Sequence, residues 1–216
     1  MAEPNGPIIL LGGGGHAKVL VEILSIHHKA VLGYTSLAGG KTNILNLLRL
    51  GDDRIIDDHD PEQIVLVNGI GSVKSTSGRR QIFERFQRKR YRFASVIHPA
   101  ATIATDACLL EGVQVMAGAV VQPGVLLGGN AIVNTGAVID HDCEIGAHAH
   151  IAPGAVLSGG VHIAEGAHVG TGALVIQGVR IGANSVVGAG AVVLRDVPAG
   201  VTVVGVPGRV IGESIG

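Results

Sequence analysis

The sequence predicts an α/β domain with a small parallel sheet, followed by a parallel β-solenoid. Three observations support this prediction. An aliphatic residue recurs every six positions from Ile97 to Val193. The chain is 47% hydrophobic but only 2% aromatic and contains 34 glycines, so its core must be narrow and its turns frequent. Residues 1–96 lack the repeat and begin with a β-turn-α pattern instead. We therefore expect two domains, 1–96 and 97–216.

The first domain is predicted from alternating strand and helix signals, which favour a parallel sheet. A glycine-rich turn at 12–16 separates the first strand from the first helix. For the basic residues within 79–92, a solvated helix face is favoured over a phosphate or nucleic-acid patch, because aromatic stacking partners are sparse. The predicted elements are strands at 7–11, 31–34 and 64–68 and helices at 17–26 and 78–90.

The repeat is the strongest feature of the second domain. All seventeen positions reached in steps of six from Ile97 are aliphatic, and the residue four further on is always Ala, Val, Cys or Ser. The residue three further on is Gly, Asn or Asp in fifteen of seventeen hexads, and these residues best tolerate a positive φ. Each hexad is therefore predicted to be a short strand closed by a turn, with successive coils stacked over a thin aliphatic core.

Charge and cysteine content limit the possible partners and compartment. The net charge is −1, which argues against a nucleic acid or an anionic membrane as partner. Cys108 and Cys143 form no disulfide framework, so a reducing cytoplasm is expected. No secretion signal or membrane-spanning segment is predicted.

The glycine-rich turn predicts a phosphate site. Gly12, Gly14 and Ala17 form a G-x-G-x-x-A pattern between a strand and a helix, where backbone amides can approach a phosphate. A Rossmann-like dinucleotide site would need an acid near the end of the second strand, but the residues there are Tyr34, Thr35 and Ser36. We therefore expect a sugar nucleotide at this turn and not NAD.

One segment of the repeat, Asn134–Cys143, is unusually polar. Its His141 has a side chain whose ordinary pKa lies near neutrality, so it can accept a proton from an attacking amine. The neighbouring Asp142 can orient the ring and stabilise its charged form. An exposed histidine on a polar turn is the alternative.

The repeat resembles that of the hexapeptide-repeat acyltransferases, which implies a left-handed parallel β-helix with three hexads per coil. Residues eighteen apart should then stack, about 5 Å from one another. His141 would lie over Gly159 on the next coil. His150 would stack with His168, for which a packing or interface role is expected.

The whole chain is similar to the bacillosamine, perosamine and sialic-acid acetyltransferases. The resemblance rests on the motifs Ile9–Lys18, Leu66–Gly71 and Asn134–Ala137. It implies a homotrimer with active sites between subunits, acetyl-CoA in a groove between neighbouring β-helices, a nucleotide-linked amino sugar on the α/β domain, no metal, and a place in O-antigen biosynthesis. Many relatives have an acid after the second strand where the base is recognised. Its absence here favours a GDP-linked sugar over a UDP-linked one.

The same resemblance implies roles for individual residues. His141 would be the general base in a direct attack of the sugar amine on acetyl-CoA, and Asp142 its supporting carboxylate. The tail at 204–209 resembles the CoA-adjacent end of these enzymes, although a terminating cap is equally expected. The implied ligand contacts are Gly12, Gly14, His16, Tyr34, Thr35 and Asn134 for the sugar nucleotide and His150, Gly159 and Pro207 for the cofactor.

Three other functions fit parts of the sequence. A γ-carbonic-anhydrase-like zinc enzyme is suggested by the histidines of the repeat, but no two of them have the five-residue spacing of that family's ligand pair. A sugar nucleotidyltransferase would need a larger first domain. A non-catalytic assembly solenoid would bind no acetyl-CoA. The histidines considered are His141, His148, His150, His162 and His168.

Overall fold

The computed structural model describes residues 6–37, 43–44, 46–72 and 75–213. The chain forms two compact units. The first comprises residues up to 71 together with 81–96, and the second comprises 72–80 and the chain from 97 onwards. Neither described helix combines the length and the apolar character that crossing a bilayer requires.

The first unit is built on a six-stranded sheet with the order β3-β4-β2-β1-β5-β6, in which β3 and β4 pair antiparallel and the other pairs are parallel. Buried side chains of β1, β5 and the second helix form its core with Tyr91 and Phe93. The elements are β1 (Ile8–Leu11), α1 (Gly15–Ile26), β2 (Val31–Thr35), β3 (Asn43–Ile44), β4 (Leu47–Gly51), a 3-10 helix (Asp53–Asp58), β5 (Val65–Asn68), α2 (Ser77–Arg88) and β6 (Arg92–Phe93).

Two details differ from the sequence-based expectation. Helix α1 begins at Gly15, so Gly15 and His16 belong to its first turn and not to the preceding loop. The basic segment is not uniformly solvated, because Arg79 is only 1% exposed and its Nε donates a 3.1 Å hydrogen bond to the carbonyl of Asn130. The sequence gives no indication that Arg79 is buried while other arginines of this basic segment are not, because the carbonyl that it contacts lies 51 residues away.

The second unit is a parallel β-helix of two-residue strands that ends in an antiparallel hairpin. From β8 to β20, each strand pairs with the strand eighteen residues further on, as Val138 does with Val156, whereas in the last coil Val186 pairs with Thr202, sixteen residues on. The strands are β7 (Val96–Ile97), β8 (Thr102–Ile103), β9 (Cys108–Leu109), β10 (Gln114–Val115), β11 (Val120–Val121), β12 (Leu126–Leu127), β13 (Ile132–Val133), β14 (Val138–Ile139), β15 (Glu144–Ile145), β16 (His150–Ile151), β17 (Val156–Leu157), β18 (His162–Ile163), β19 (His168–Val169), β20 (Leu174–Val175), β21 (Arg180–Ile181), β22 (Val186–Val187), β23 (Val192–Val193), β24 (Val201–Val204) and β25 (Arg209–Glu213).

Each coil has three faces and three corners. The first face contains β7, β10, β13, β16, β19 and β22, the second begins with β8, and the third begins with β9. The first corner (134–136, 152–154, 170–172 and 188–190) joins the first face to the second. The second corner (140–142 and 158–160) joins the second face to the third, and the third corner (128–130, 146–148 and 164–166) returns to the first face.

The predicted hexad pattern accounts for the core and the turns. The aliphatic positions and the small positions four residues later form one continuous buried cluster along the β-helix. At the turn positions, Asn130, Asp142, His148 and Asn184 have φ between 55° and 61°. The backbone therefore adopts the left-handed conformation even where glycine is absent, because Asn and Asp tolerate it better than other residues with a side chain.

Candidate active site

His141 and Asp142 form a hydrogen-bonded pair at the second corner. Asp142 Oδ2 lies 2.8 Å from His141 Nδ1, and both side chains are more than half exposed. The hydrogen bond that the ring donates to Asp142, together with the charge of Asp140, raises the pKa of the His141 imidazole. Because Nδ1–H donates to the carboxylate, the lone pair of the neutral ring is on Nε2, the nitrogen that a general base uses.

Two glycines provide the space that this pair occupies. A Cβ atom at Gly159 would lie 2.5 Å from His141 Nε2, and one at Gly124 would lie 2.5 Å from Asp142 Oδ1. The imidazole therefore lies directly against the backbone of Gly159, as the eighteen-residue spacing predicted. The carbonyl of Gly159 accepts a hydrogen bond from Gly178, whereas its N–H donates to no acceptor within the described part of the chain, so this N–H can donate to a developing oxyanion. Gly124 was not predicted as part of the site, because nothing in the sequence distinguishes it from the other turn glycines.

His150 lies on the first face and is 5% exposed. The backbone N–H of Thr135 donates to Asn134 Oδ1 at 2.8 Å, which leaves the donor Nδ2 of Asn134 3.1 Å from His150 Nε2. Nε2 must then accept, so the ring proton is on Nδ1, which donates to Ser72 Oγ at 2.6 Å. His150 is therefore held as a neutral ring of one tautomer. Ser72 was missed from the sequence because 78 residues separate it from His150.

His150 also contacts the histidine eighteen residues later. The rings of His150 and His168 meet edge to face with centroids 4.9 Å apart. Burial lowers the pKa of His168, and its Nδ1 has no hydrogen-bond partner among the residues the structure describes. The packing role expected for His168 is consistent with this arrangement.

A cavity of about 640 Å³ opens beside these histidines along the first corner. It extends over successive coils, from Asn134 past Gly170 to Gly188. His141 and Gly159 lie at the second corner and do not line it. The site residues predicted for the β-helix therefore fall into two groups on one chain. Asn134 and His150 line the cavity at the first corner, and the His141 pair lies at the second corner.

The remaining histidines of the β-helix are dispersed. His148 is at the third corner, where its Nδ1 lies 2.9 Å from Asn130 Nδ2, and His162 on the third face contacts Glu144 at 3.0 Å. Within the described residues of the β-helix, no three side chains of His, Cys, Asp or Glu are grouped so that one ion could contact them all.

The predicted nucleotide residues lie at the carboxyl edge of the sheet in the first unit. The N–H of Gly12, whose φ is 97°, donates to the carbonyl of Thr35 at 2.9 Å. No atom lies within 4 Å of a Cβ placed at Gly14, the N-cap of α1, or at Gly15, so there is open space beside the amino end of this helix. His16 is in the first turn of that helix. Tyr34 is completely buried in β2, and its expected ligand contact stays a prediction.

The C-terminal hairpin encloses a smaller cavity. Pro207 is exposed and, with the segments Val193–Val197 and Gly208–Val210, borders a space of about 370 Å³. Val203 closes its inner side. This hairpin covers the last coil, so the cap and the ligand-binding interpretation of the tail are both compatible with the geometry.

The repeat of this chain has counterparts among known transferases. The family model described as bacterial transferase hexapeptide, six repeats, matches residues 124–159, the stretch that contains the His141 pair. A search of curated protein sequences finds no match. Over this stretch the repeat is thus similar to that of the bacterial hexapeptide transferases.

Several solved structures are similar to nearly the whole chain. The H141N variant of perosamine N-acetyltransferase from Caulobacter crescentus, in complex with CoA and GDP-perosamine, is 36% identical, with 99% of this chain and 100% of that chain covered and a TM-score of 0.89. The acetyltransferase domain of PglB from Neisseria gonorrhoeae FA1090, in complex with acetyl coenzyme A, is 35% identical, with coverages of 96% and 100% and a TM-score of 0.88. WeeI from Acinetobacter baumannii AYE, at 21% identity, shares the fold, with coverages of 96% and 100% and a TM-score of 0.69.

The chain belongs to the hexapeptide-repeat sugar N-acetyltransferase family that includes perosamine N-acetyltransferase and the PglB acetyltransferase domain. The predicted fold, an α/β domain followed by a left-handed β-helix, is confirmed. The predicted enzyme class, an acetyl-CoA-dependent N-acetyltransferase of nucleotide-linked amino sugars, is confirmed as well.

Proposed function

We propose that this enzyme transfers the acetyl group of acetyl-CoA to the amine of a GDP-linked amino sugar similar to perosamine, with His141 as the general base. The observation that supports this most directly is the position of the His141 ring. Asp142 binds Nδ1, while Nε2 lies against the backbone of Gly159. A proton acceptor and an amide donor are thereby adjacent on two successive coils.

The reaction proceeds by direct attack. The neutral sugar amine attacks the thioester carbonyl, and Nε2 of His141 takes the proton that the amine loses as the new C–N bond forms. The N–H of Gly159 donates to the oxyanion of the tetrahedral intermediate. When this intermediate collapses to the N-acetyl product, the C–S bond breaks and the imidazolium of His141 gives its proton to the departing sulfur, which leaves as the thiol of CoA. Asp142 stabilises the imidazolium that forms during the attack. No covalent enzyme intermediate is required.

The cavity at the first corner is the proposed site of the thiol arm of acetyl-CoA. From Asn134 to Gly188 it follows three coil steps, about 14 Å at the spacing of neighbouring strands. Gly170 and Gly188 are among the residues that line it. His150 and Asn134 stand at one end of this groove, where the acetyl group would lie.

The first unit is proposed to bind the nucleotide-linked sugar. The open amino end of α1 after Gly12 and Gly14 is suited to the diphosphate, because backbone N–H groups and the helix dipole both favour an anion there. His16, in the first turn, would lie near the sugar. Thr35 is at the neighbouring strand end.

We propose that complete sites form between the subunits of a homotrimer. The cavity and the His141 pair occupy different corners of one chain, and a neighbouring copy would bring the cavity of one subunit to the His141 pair of another. The outward side chains of the second face supply an apolar surface for this contact, because they are aliphatic and at least partly exposed on five successive coils. These residues are Val120, Val138, Val156, Leu174 and Val192. The free thiols of Cys108 and Cys143 suit a cytoplasmic enzyme.

The test is acetyl transfer followed through thiol release. Wild-type enzyme is supplied with acetyl-CoA and either a GDP-linked or a UDP-linked amino sugar, and turnover with the GDP-linked sugar is expected to be faster. His141→Ala should reduce kcat/KM by roughly 10²-fold or more, the contribution of a general base. Wild-type activity in this variant would contradict the assignment. The absence of saturable acetyl-CoA binding by calorimetry would instead favour an assembly role.

A further inference from the structure

Three hydrogen-bonded side chains close one end of the cavity at the first corner, and we call them the end wall. Asn134 Nδ2 lies 3.1 Å from His150 Nε2, and Ser72 Oγ lies 2.6 Å from Nδ1 of the same ring. All three residues line the cavity, whereas among the described residues of the β-helix none before Asn134 does. The cavity therefore ends at these polar groups, where the acetyl group is proposed to lie.

The end wall is held firmly in place. The backbone N–H of Thr135 binds the amide oxygen of Asn134 at 2.8 Å, and the ring of His168 packs edge to face on His150 with centroids 4.9 Å apart. His150 is buried, so turning its ring would leave buried hydrogen-bonding groups without partners. Such a loss is costly, because those groups have no water to replace the bond. The wall therefore does not yield to a ligand that is one carbon too long.

Ser72 is fixed to the β-helix by the segment that follows it. Segment 72–80 belongs to the β-helix unit. In this segment, the hydroxyl of Thr76 donates to the carbonyl of Gly166 at 2.9 Å, and Arg79 Nε donates to the carbonyl of Asn130 at 3.1 Å. Thr76 and Arg79 are both buried. The position of the serine hydroxyl at the cavity is thus determined by contacts outside the cavity.

We propose that Ser72 is a specificity residue that limits the transferred acyl group to acetyl, an inference that rests on the proposed function and narrows its acyl donor. The methyl of an acetyl group can end at the wall. A further methylene must either displace the wall or lie against a hydroxyl, an imidazole and an amide. In that position it gains little of the free energy that burial in an apolar pocket supplies.

Of the three side chains, Ser72 is the one that can change without altering a coil. His150 belongs to a strand and Asn134 to a corner of the β-helix, whereas Ser72 comes from outside the repeat. An alanine at position 72 removes one atom of the wall together with the hydrogen-bond partner of Nδ1. The space beside the ring then becomes larger and apolar, and the ethyl group of a propionyl thioester can pack there.

The test compares acetyl-CoA with propionyl-CoA as donors to a GDP-linked amino sugar, with kcat/KM measured through thiol release. Wild-type enzyme should prefer acetyl-CoA by roughly 10- to 100-fold, the range that one methylene contributes to specificity. Ser72→Ala should lower this preference by about tenfold, since the wall then loses one hydrogen bond. Ser72→Thr keeps the hydroxyl and should keep the preference. The ratio is informative because a general loss of structure lowers both rates alike.

Ser75→Ala is the matched control. The Ser75 hydroxyl accepts the N–H of Ser77 at 3.1 Å in the same segment and does not line the cavity, so this variant should keep the wild-type preference. If Ser72→Ala does not fold, Asn134→Ala opens the other side of the wall and should also relax the preference. Three results would overturn the inference: a wild-type enzyme that uses both donors equally, an unchanged preference in the variants of the wall, or the same relaxation in Ser75→Ala. A wild-type enzyme that acetylates no sugar nucleotide would instead contradict the proposed function.

Discussion

Replacing Gly159 by alanine tests the proposed site without removing any of its chemical groups. The new Cβ would lie 2.5 Å from His141 Nε2 and 2.6 Å from Cε1, whereas ordinary contact begins at 3.4 Å. The imidazole must therefore move by about 1 Å, and a misplacement of that size can cost on the order of 10²-fold in rate. The ring is half exposed and can swing into solvent, so the free energy of unfolding should change by only about 0.5 kcal/mol.

The assay is kcat/KM for thiol release with acetyl-CoA and a GDP-linked amino sugar, together with the melting temperature. Gly129→Ala is the matched control, because Gly129 has the same place in its hexad and its Cβ would meet nothing closer than the carbonyl of Glu111 at 3.4 Å. It should be active. Combining Gly159→Ala with His141→Asn should add little to the loss from His141→Asn alone, since both changes remove the same base. A Gly159→Ala enzyme as active as the control would refute the reasoning.

Three further changes address the neighbours of this site. Asp142→Asn removes the hydrogen bond that raises the pKa of His141; the base then loses its proton at lower pH, so the acid limb of the kcat/KM profile should shift to lower pH, and an unshifted limb would argue against His141 as the titrating group. Ser72→Ala removes the hydrogen-bond partner of His150 Nδ1 and should raise the KM for acetyl-CoA several-fold while lowering stability by about 1 kcal/mol, measured by initial rates and thermal unfolding. An unchanged KM would show that this hydrogen bond does not matter for binding acetyl-CoA. Burial raises the pKa of the Cys143 thiol, so Cys143→Ala should keep most of the wild-type kcat, and a large loss would indicate a covalent intermediate.

The sequence predicted the β-helix almost residue by residue because its constraints are local and periodic. The inward positions, such as Ile139 and Cys143, follow from the six-residue repeat. The pairing between coils follows from the eighteen residues per coil that the family resemblance implied. The stacking of His141 on Gly159 could be predicted for the same reason. The α/β unit has no comparable periodicity in its sequence. There, the hydrogen bonds between the ends of different strands depend on the order of the strands in the sheet, which the sequence does not show.

The residues that sequence analysis missed are those that depend on such tertiary placement. Asp53 accepts a hydrogen bond from the Thr35 hydroxyl only because β4 pairs with β2, and the segment around it had no clear periodicity. Ser72 and Arg79 lie in the segment 72–80, which belongs to the β-helix unit although it precedes the repeat by more than sixteen residues. The burial of Tyr34 also could not be anticipated, because a strand covered on both faces gives no alternation.

The arrangement of the His141 pair shows how a repeat with a nearly uniform backbone can contain a distinct site. Neighbours in space are fixed by columns of residues eighteen apart, so the environment of a side chain depends on the coils above and below it more than on its flanking sequence. His141 lies against Gly159 of the next coil, and Asp142 lies against Gly124 of the preceding one. A side chain at either glycine would displace one member of the pair. Polar side chains of a solenoid can thus form a site only where the residues eighteen positions before or after them are small enough to leave space. For this pair, the two glycines are therefore as necessary as the histidine and the aspartate.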